Sequence, residues 1–234
     1  MVPGAAYSRP VQVEQLVSRY PRLYHLTEAG SWPSIRRLGL LPTDQLVAVF
    51  SPPPDVRAAI LDQPRTRSFV LTDPRLGRVV IRDQTPLRPH ILAQRLTGLT
   101  VAQWLAILND RVFFWLDRRR LDTLLNARLN RGRAHDVLTV DTAGLVATCA
   151  DRIRLSPLNS GATLFPNAAP RGPDTFRTIA GYPYDELRRR RGPRHAVAEL
   201  AIIGGVPDIA RHVIQVEQVS VAEQVRPGDR RRPE

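Results

Sequence analysis

A short stretch near the N-terminus reads Leu23-Tyr24-His25-Leu26-Thr27. In a β-strand successive side chains point to opposite faces, so His25 and Thr27 share one face with Leu23 while Tyr24 and Leu26 share the other. This stretch predicts a core strand that carries a histidine and a hydroxyl side by side. Such a pair can hold the hydroxyl groups of a polar ligand, or it can be part of a hydrogen-bonded core, as most buried polar groups are.

Helical and strand patterns follow this strand along the chain. Ser31 stands before a helix that is expected to end at Gly39, and Thr100 caps another helix. Helices are predicted at 11–19, 31–39, 101–108 and 119–130, strands at 23–27, 78–82, 112–116, 137–140, 153–155, 197–203 and 213–219, and loops at 166–173 and 188–194. The helices concentrate in the first half and the strands in the second, which favours an α+β fold over a doubly wound parallel sheet.

The composition fits one folded domain. The chain has 234 residues, of which 43% are hydrophobic and 24% charged, enough for one sizeable core. We expect a single domain over residues 1–225 and a basic, flexible tail over 226–234. Cys149 is the single cysteine, which excludes a disulfide framework and predicts a small buried residue.

Targeting signals are missing from the pattern. The first residues lack a basic region followed by an apolar run, so no secretory signal is predicted. No apolar stretch approaches the roughly 20 residues needed to cross a bilayer. By elimination we expect a cytoplasmic protein without a membrane partner.

The charge is strongly positive, with a net value of +12 and 34 basic residues, every one an arginine. A GC-rich genome explains missing lysine without reference to function. Arginine forks also bind phosphate and carboxylate groups well, and an excess of positive charge attracts polyanions. A non-catalytic basic module that binds nucleic acid is therefore one interpretation of the chain.

One acidic residue, Glu199, stands inside the otherwise apolar run Ala196–Ile203. A carboxylate in such a strand is costly unless it is paired or used. The structural explanation is a salt bridge to Arg154 or Arg194, and the functional one is a carboxylate that acts on a ligand.

Three further segments could contact a ligand. Asn159, Ser160 and Thr163 surround a glycine in a stretch whose backbone N–H groups could approach a phosphate or an amide, although many turns have this composition. Phe113 lies in an aromatic strand that runs into an arginine cluster. The block Arg82-Asp83-Gln84 forms either a turn or part of a pocket wall. The sequence has no Gly-x-Gly-x-x-Gly after a strand and no paired Cys or His at zinc spacing, so no metal is expected.

Together these pieces resemble DarT-like ADP-ribosyltransferases. The resemblance rests on Tyr24-His25-Leu26-Thr27, on the helix segment Ser34–Leu40 that ends in Gly-Leu, on the aromatic strand Val112–Trp115 with arginines beyond it, and on Glu199 in a late strand. It spans roughly residues 20–220. The Arg-Asp-Gln and Asn-Ser-Gly-Ala-Thr blocks are similar to those of an uncharacterised DarT-like family.

The resemblance implies a split, mainly antiparallel sheet with helices packed around it and NAD held in the cleft as a substrate. It implies that His25 and Thr27 bind NAD at its adenosine-side ribose or its amide. It also implies that Arg118 or Arg120 holds the pyrophosphate, and that Glu199 stabilises the cationic sugar formed as nicotinamide leaves. The full set of expected NAD-binding residues is His25, Thr27, Phe113, Arg118, Arg120, Asn159, Ser160 and Thr163.

The implied activity is NAD-dependent ADP-ribosyl transfer of a toxin type, with DNA or RNA as acceptor and an antitoxin or a reversing hydrolase as a partner. Val197 occupies the position where protein-modifying relatives often carry Glu or Gln, which argues against modification of protein arginine or asparagine. The alternatives within the same fold are an RNA 2′-phosphotransferase-like activity that uses NAD, and plain NAD hydrolysis.

Overall fold

The computed structural model describes residues 13–127, 130 and 132–220. The α-helices are α1 Val13–Arg19, α2 Trp32–Leu38, α3 Thr43–Phe50, α4 Pro54–Leu61, α5 Pro89–Arg95, α6 Val101–Asn109, α7 Arg118–Leu125, α8 Thr142–Cys149 and α9 Tyr184–Arg191. The strands are β1 Arg22–Glu28, β2 Phe69–Asp73, β3 Gly77–Ile81, β4 Arg111–Trp115, β5 Ala134–Asp141, β6 Ile153–Ser156, β7 Glu199–Ile203 and β8 Val213–Ser220. Short 3₁₀ turns lie at Pro173–Thr175, Pro193–His195 and Ile209–Arg211.

Six strands form the main sheet, in the order β6-β7-β4-β1-β5-β8, and each neighbouring pair is antiparallel. Strands β2 and β3 form a separate antiparallel pair. The prediction of an α+β fold with a mainly antiparallel sheet is confirmed.

The main sheet opens between its two central strands. Strand β1 pairs with β5 along its whole length, but it shares a single residue pair, Tyr24 with Trp115, with β4. Next to this pair the ring of His25 donates a hydrogen bond from Nδ1 to the carbonyl oxygen of Phe113, at 2.9 Å, where a backbone ladder would otherwise continue. This opening creates space for a ligand in the middle of the sheet.

Each face of the sheet packs against its own set of helices. On one face the core includes side chains from the sheet, from α1, from α8 and from α9; its members include Leu16, Leu23, Phe114, Leu138, Leu145, Cys149, Leu187 and Leu200. Cys149 is free and fully buried, as predicted. On the other face Trp115 and Leu26 pack against Leu121 and Leu125 of α7. The β2–β3 pair covers α3 and α4 through a smaller cluster.

Two sequence signals for helix boundaries are confirmed. Thr100 caps α6 with a capping box, in which its hydroxyl and the side chain of Gln103 bond each other's backbone N–H groups. Helix α2 ends at Gly39, where φ is 86°. A Cβ atom at this position would lie 2.6 Å from Cα of Pro207, so a larger residue would not fit. Gly39 therefore fixes both the end of α2 and its close approach to the loop that follows β7.

The predicted loop at 188–194 is wrong for its first half, because Arg188–Arg191 belong to α9. Acidic residues occupy the first turn of this helix and the arginines its last, which suits the helix dipole, and Leu187 is buried. The helix predicted at 119–130 ends earlier, at Leu125, with Asn126 as its C-cap. Helices α4, α5 and α8 and strand β2 were not predicted. The tail at 226–234 and the start of the helix predicted at 11–19 lie outside the described residues.

In the parts of the chain that the structure describes, no helix combines the length and the apolar character needed to cross a membrane.

Candidate active site

A cavity of about 480 Å³ lies at the opening between β1 and β4. It reaches the face of the sheet that packs against α7, and it extends to α2 and to β3. Of the nine residues expected to form the NAD site, six line it: His25, Thr27, Phe113, Asn159, Ser160 and Glu199. His25 and Glu199 are thus both among the residues that line one cavity.

Glu199 begins β7, between Trp115 of β4 and Ser156 of β6, and only 5% of its surface is exposed. Its Oε2 atom accepts two hydrogen bonds from Ser160, from the backbone N–H at 3.0 Å and from the hydroxyl at 2.7 Å. Burial raises the pKa of Glu199 to about 7, although the bonds from Ser160 and the positive charge of Arg171 favour the ionised form. The carboxylate is thus held by one oxygen while its residue lines the cavity.

A salt bridge does not account for Glu199. The Arg154 guanidinium donates to the carbonyl oxygens of Asp151 and Ile153, and Arg194 contributes only its carbonyl oxygen, to Arg120. Within the described residues no cation lies within 4.0 Å of the carboxylate. The structural explanation offered by the sequence is therefore not supported by the geometry.

Arg171 holds the loop that positions Ser160. This arginine is only 3% exposed, and its guanidinium donates to carbonyl oxygens of the loop. The acceptors are Asn159, Ser160, Ala162 and Ala169. Ser160 in turn donates to Glu199, so Arg171 acts on the carboxylate through the loop. Sequence reasoning missed Arg171, which lies in the segment expected to be a loop, because nothing in its local pattern marks it.

His25 is held in one tautomer. A carbonyl oxygen can only accept, so Nδ1 of His25 carries the proton in its bond to Phe113. Burial, with a smaller effect from the charge of Arg82, lowers the pKa of the ring to about 4 against the opposing effect of the bond to Phe113. At neutral pH the ring is therefore uncharged and its Nε2 atom is an acceptor. The ring also packs against Phe114, with a centroid distance of 5.7 Å.

The other lining residues shape the cavity wall. Thr27 is 8% exposed and pairs in register with Asp136 of β5. The ring of Phe113 packs against Phe176 at a centroid distance of 6.2 Å. Asn159 accepts a hydrogen bond from the Gly161 N–H at 3.1 Å, which shapes the start of the loop that holds Glu199. Their placement in the lining of the cavity fits ligand contact.

Three predicted residues are not among those that line the cavity. Arg118 bonds Asp122 and Glu217, each at 2.8 Å, so its guanidinium is occupied by two carboxylates. Arg120 bonds His195 Nδ1 at 2.7 Å, and its charge acts on Glu199 only from a distance. The Thr163 hydroxyl exchanges hydrogen bonds with the backbone of Arg88. The geometry therefore does not support the pyrophosphate role expected for Arg118 or Arg120.

The block Arg82-Asp83-Gln84 lines the cavity, which decides between the two roles the sequence left open. Arg65 and Arg133, which sequence reasoning missed, join it there. In the described residues no three His, Cys, Asp or Glu side chains come together in a way that could hold a metal ion.

The protein is an α+β domain with a buried carboxylate at an opening in a mainly antiparallel sheet. The chain belongs to the DUF7002 family, described as a family of unknown function, whose model matches residues 21–213. That match includes both β1 and β7, and hence His25 and Glu199. The search of curated proteins and the search of solved structures each give no match.

Proposed function

We propose that this protein is an NAD-dependent ADP-ribosyltransferase with Glu199 as its catalytic carboxylate. The observation that carries the proposal is the pairing, in one cavity, of an anchored buried carboxylate with the neutral ring of His25. The resemblance of the Tyr24–Thr27 strand to DarT-like enzymes supports the same assignment. In this proposal the opening between β1 and β4 is the NAD-binding cleft of an ADP-ribosyltransferase-like split sheet.

The reaction needs one carboxylate. The bond between ribose C1′ and the nicotinamide nitrogen breaks, and nicotinamide leaves as a neutral molecule with the bonding electrons. The sugar becomes an oxocarbenium-like cation, which the charge of Glu199 would stabilise. An acceptor oxygen or nitrogen then bonds to C1′ and loses its proton. Glycosidases, in contrast, use two carboxylates, since their leaving group needs a proton.

His25 would orient NAD without taking part in bond breaking. Its Nε2 atom is an acceptor at neutral pH, and a ribose hydroxyl is a matching donor. Thr27 lines the same cavity from the same strand, with a hydroxyl that can donate and accept. Phe113, Asn159 and Ser160 would complete the contacts with NAD.

The acceptor in this proposal is DNA or RNA, to which the positive net charge would attract the protein. An antitoxin or a reversing hydrolase as partner, and a cytoplasmic location, belong to the same proposal. Transfer to an RNA 2′-phosphate, or to water alone, would keep the first bond-breaking step and change only the acceptor.

The test is Glu199→Gln, assayed with NAD labelled in its ADP-ribose part and in its nicotinamide. The variant should bind NAD and should release nicotinamide about a hundred- to a thousandfold more slowly, the range seen when one transition-state electrostatic contact is removed. Incubation with DNA, RNA or cell extract then shows which pool keeps the ADP-ribose label. Label in none of them, with continued nicotinamide release, would identify NAD hydrolysis.

The matched control is Glu186→Gln, because Glu186 is an exposed glutamate on α9 whose one partner in the described part of the chain is Arg190 at the surface. It should turn over NAD at the wild-type rate. Full turnover by Glu199→Gln would remove Glu199 from the mechanism. The non-catalytic module would instead be supported if the wild-type protein binds nucleic acid with an affinity that falls steeply as salt is added, and does not bind NAD.

A further inference from the structure

Three arginines, Arg65, Arg82 and Arg133, line one part of the cavity and are called the arginine end below. Strand β3 leads directly into Arg82, and Arg133 stands just before β5. The proposed chemistry at Glu199 uses none of them. The forces on Glu199 come from Ser160, Arg171 and Arg120, so the arginine end is a separate group of charges.

Arg65 is 7% exposed, yet its partners are all uncharged. Nε donates to the carbonyl oxygen of Arg82 at 2.9 Å, and Nη1 donates to the carbonyl oxygen of Ile60 at 3.0 Å and to Asn109 Oδ1 at 2.9 Å. Burial lowers the pKa of this guanidinium to about 10, although the charge of Asp83 favours its ionised form. A buried cation that forms no ion pair of its own is costly for the fold, and a bound anion would offset that cost.

Arg82 is the least satisfied of the three. Its Nη2 atom donates to Asn130 Oδ1 at 3.0 Å, while its Nε atom is buried and has no hydrogen-bond partner among the residues that the structure describes. Burial lowers its pKa and the neighbouring charge of Arg133 lowers it further, against the opposing effect of the Asp83 and Glu28 charges. Two like charges held together in the wall of a cavity are arranged as in sites that bind anions.

The acidic groups at this end do not balance the arginines. Arg133 bonds Asp83 at 3.2 Å and Glu28 at 3.3 Å, which accounts for both carboxylates. Asp83 also accepts a hydrogen bond from the Thr85 hydroxyl. The hydrogen bonds from Thr85 and Arg133 and the charge of Arg133 lower the pKa of Asp83 more than burial raises it, so Asp83 is ionised at neutral pH. Three cations against two anions leave one unit of positive charge, carried where Arg65 and Arg82 line the cavity.

We propose that the arginine end is a binding subsite for a phosphoryl group. A phosphoryl group carries negative charge on several oxygens and can accept hydrogen bonds from more than one guanidinium at once. It therefore matches a pair of arginines better than an anion with its charge on a single atom does. Arg82 and His25 line the same cavity, so the subsite shares that cavity with the residue proposed to hold a ribose hydroxyl. A phosphoryl group attached to a sugar meets both requirements. This assignment goes beyond the proposed function, since it holds whether or not nicotinamide is released.

The test is Arg82→Gln, titrated calorimetrically with inorganic pyrophosphate at constant ionic strength. Loss of one charged hydrogen-bond partner should weaken binding by about ten- to a hundredfold. The matched control is Arg78→Gln, an exposed arginine on β3 that does not line the cavity, which should bind as the wild type does. Arg133→Gln provides a second variant in case Arg82→Gln does not fold.

NAD and AMP distinguish the two sources of such a phosphoryl group. If Arg82→Gln weakens the binding of NAD and of pyrophosphate equally, the subsite is assigned to the pyrophosphate of the dinucleotide. If Arg82→Gln binds pyrophosphate and AMP more weakly but binds NAD as the wild type does, the subsite is assigned to a phosphate monoester on a second substrate. A wild-type protein that binds pyrophosphate no better than either folded variant refutes the subsite. Pyrophosphate binding through Arg82 without any nicotinamide release would keep the subsite and reject the transferase.

Discussion

Replacement of Glu199 by Gln should make the fold more stable at alkaline pH, although it removes the charge on which the proposed chemistry depends. Most substitutions of a fully buried residue destabilise a protein. Glu199 should behave differently because burial disfavours its ionised form, and no ion pair compensates for it among the described residues. Gln keeps the shape and an acceptor oxygen for Ser160.

The magnitude follows from the raised pKa. Burial moves the pKa of Glu199 from 4.5 to about 7, so between these values the folded protein binds more protons than the unfolded chain. Stability therefore falls as the pH rises through this window, by about 3 kcal/mol in total at about 1.4 kcal/mol per pKa unit. Below the window the carboxyl group is neutral in both states and the effect disappears. Gln lacks this dependence.

The assay compares thermal melts of the wild type and Glu199→Gln at pH 5 and pH 8. For a protein of this size about 3 kcal/mol corresponds to a rise in Tm of roughly 6–12 °C at pH 8. The difference should shrink towards pH 5. The control Glu186→Gln should show a small difference that is the same at both values, since Glu186 is exposed on α9.

A variant that melts below the wild type at pH 8 would refute this reasoning. It would mean that a cation neutralises Glu199 in the native protein and is stranded by the change, the outcome expected of a broken buried ion pair. A difference in Tm that does not depend on pH would show that the pKa of Glu199 is not raised.

Two further predictions concern NAD and the C-terminal segment. NAD should raise the Tm of the wild type by mass action, and His25→Ala should reduce that shift. Arg118→Ala should leave the shift unchanged, because the Arg118 guanidinium is occupied by Asp122 and Glu217. An equal loss of the shift in both variants would contradict the assignment of His25. Deletion of residues 226–234 should leave the Tm and the NAD shift unchanged, because the segment has no apolar residue to anchor it, and should slow transfer to nucleic acid mainly at low salt. A large fall in Tm after the deletion would show that the segment is part of the fold.

The features that could be predicted from the sequence depend on local patterns. The alternation in Leu23–Thr27, the capping threonine at Thr100 and the glycine at Gly39 each reflect a rule that acts within a few residues. The burial of Glu199 could be predicted because its neighbours on both sides are apolar.

The features that could not be predicted depend on contacts between distant segments. Arg171 reaches the loop at Asn159–Ala162 from a stretch with no regular pattern, and Arg65 reaches Asn109 from a loop after α4. Arg118 shows the converse error. Its place beside an aromatic strand indicated a ligand contact, but Glu217 of the edge strand β8 pairs with it. An arginine is equally able to bind a ligand or a carboxylate of its own chain, so its sequence neighbours do not decide which it does.

Glu199 and the arginine end together would determine how a dinucleotide lies in the cavity. Both are charges held in the wall of one cavity without full neutralisation, and they have opposite signs. NAD carries a positive nicotinamide ring and a negative pyrophosphate, so the orientation that brings the ring to Glu199 and the phosphates to Arg82 is favoured at both ends. The reverse orientation brings the uncharged adenine to Glu199 and loses the attraction between Glu199 and the positive ring. The uncompensated charges cost the fold stability, and in this proposal the same charges select one direction of binding and place the bond to nicotinamide beside the carboxylate.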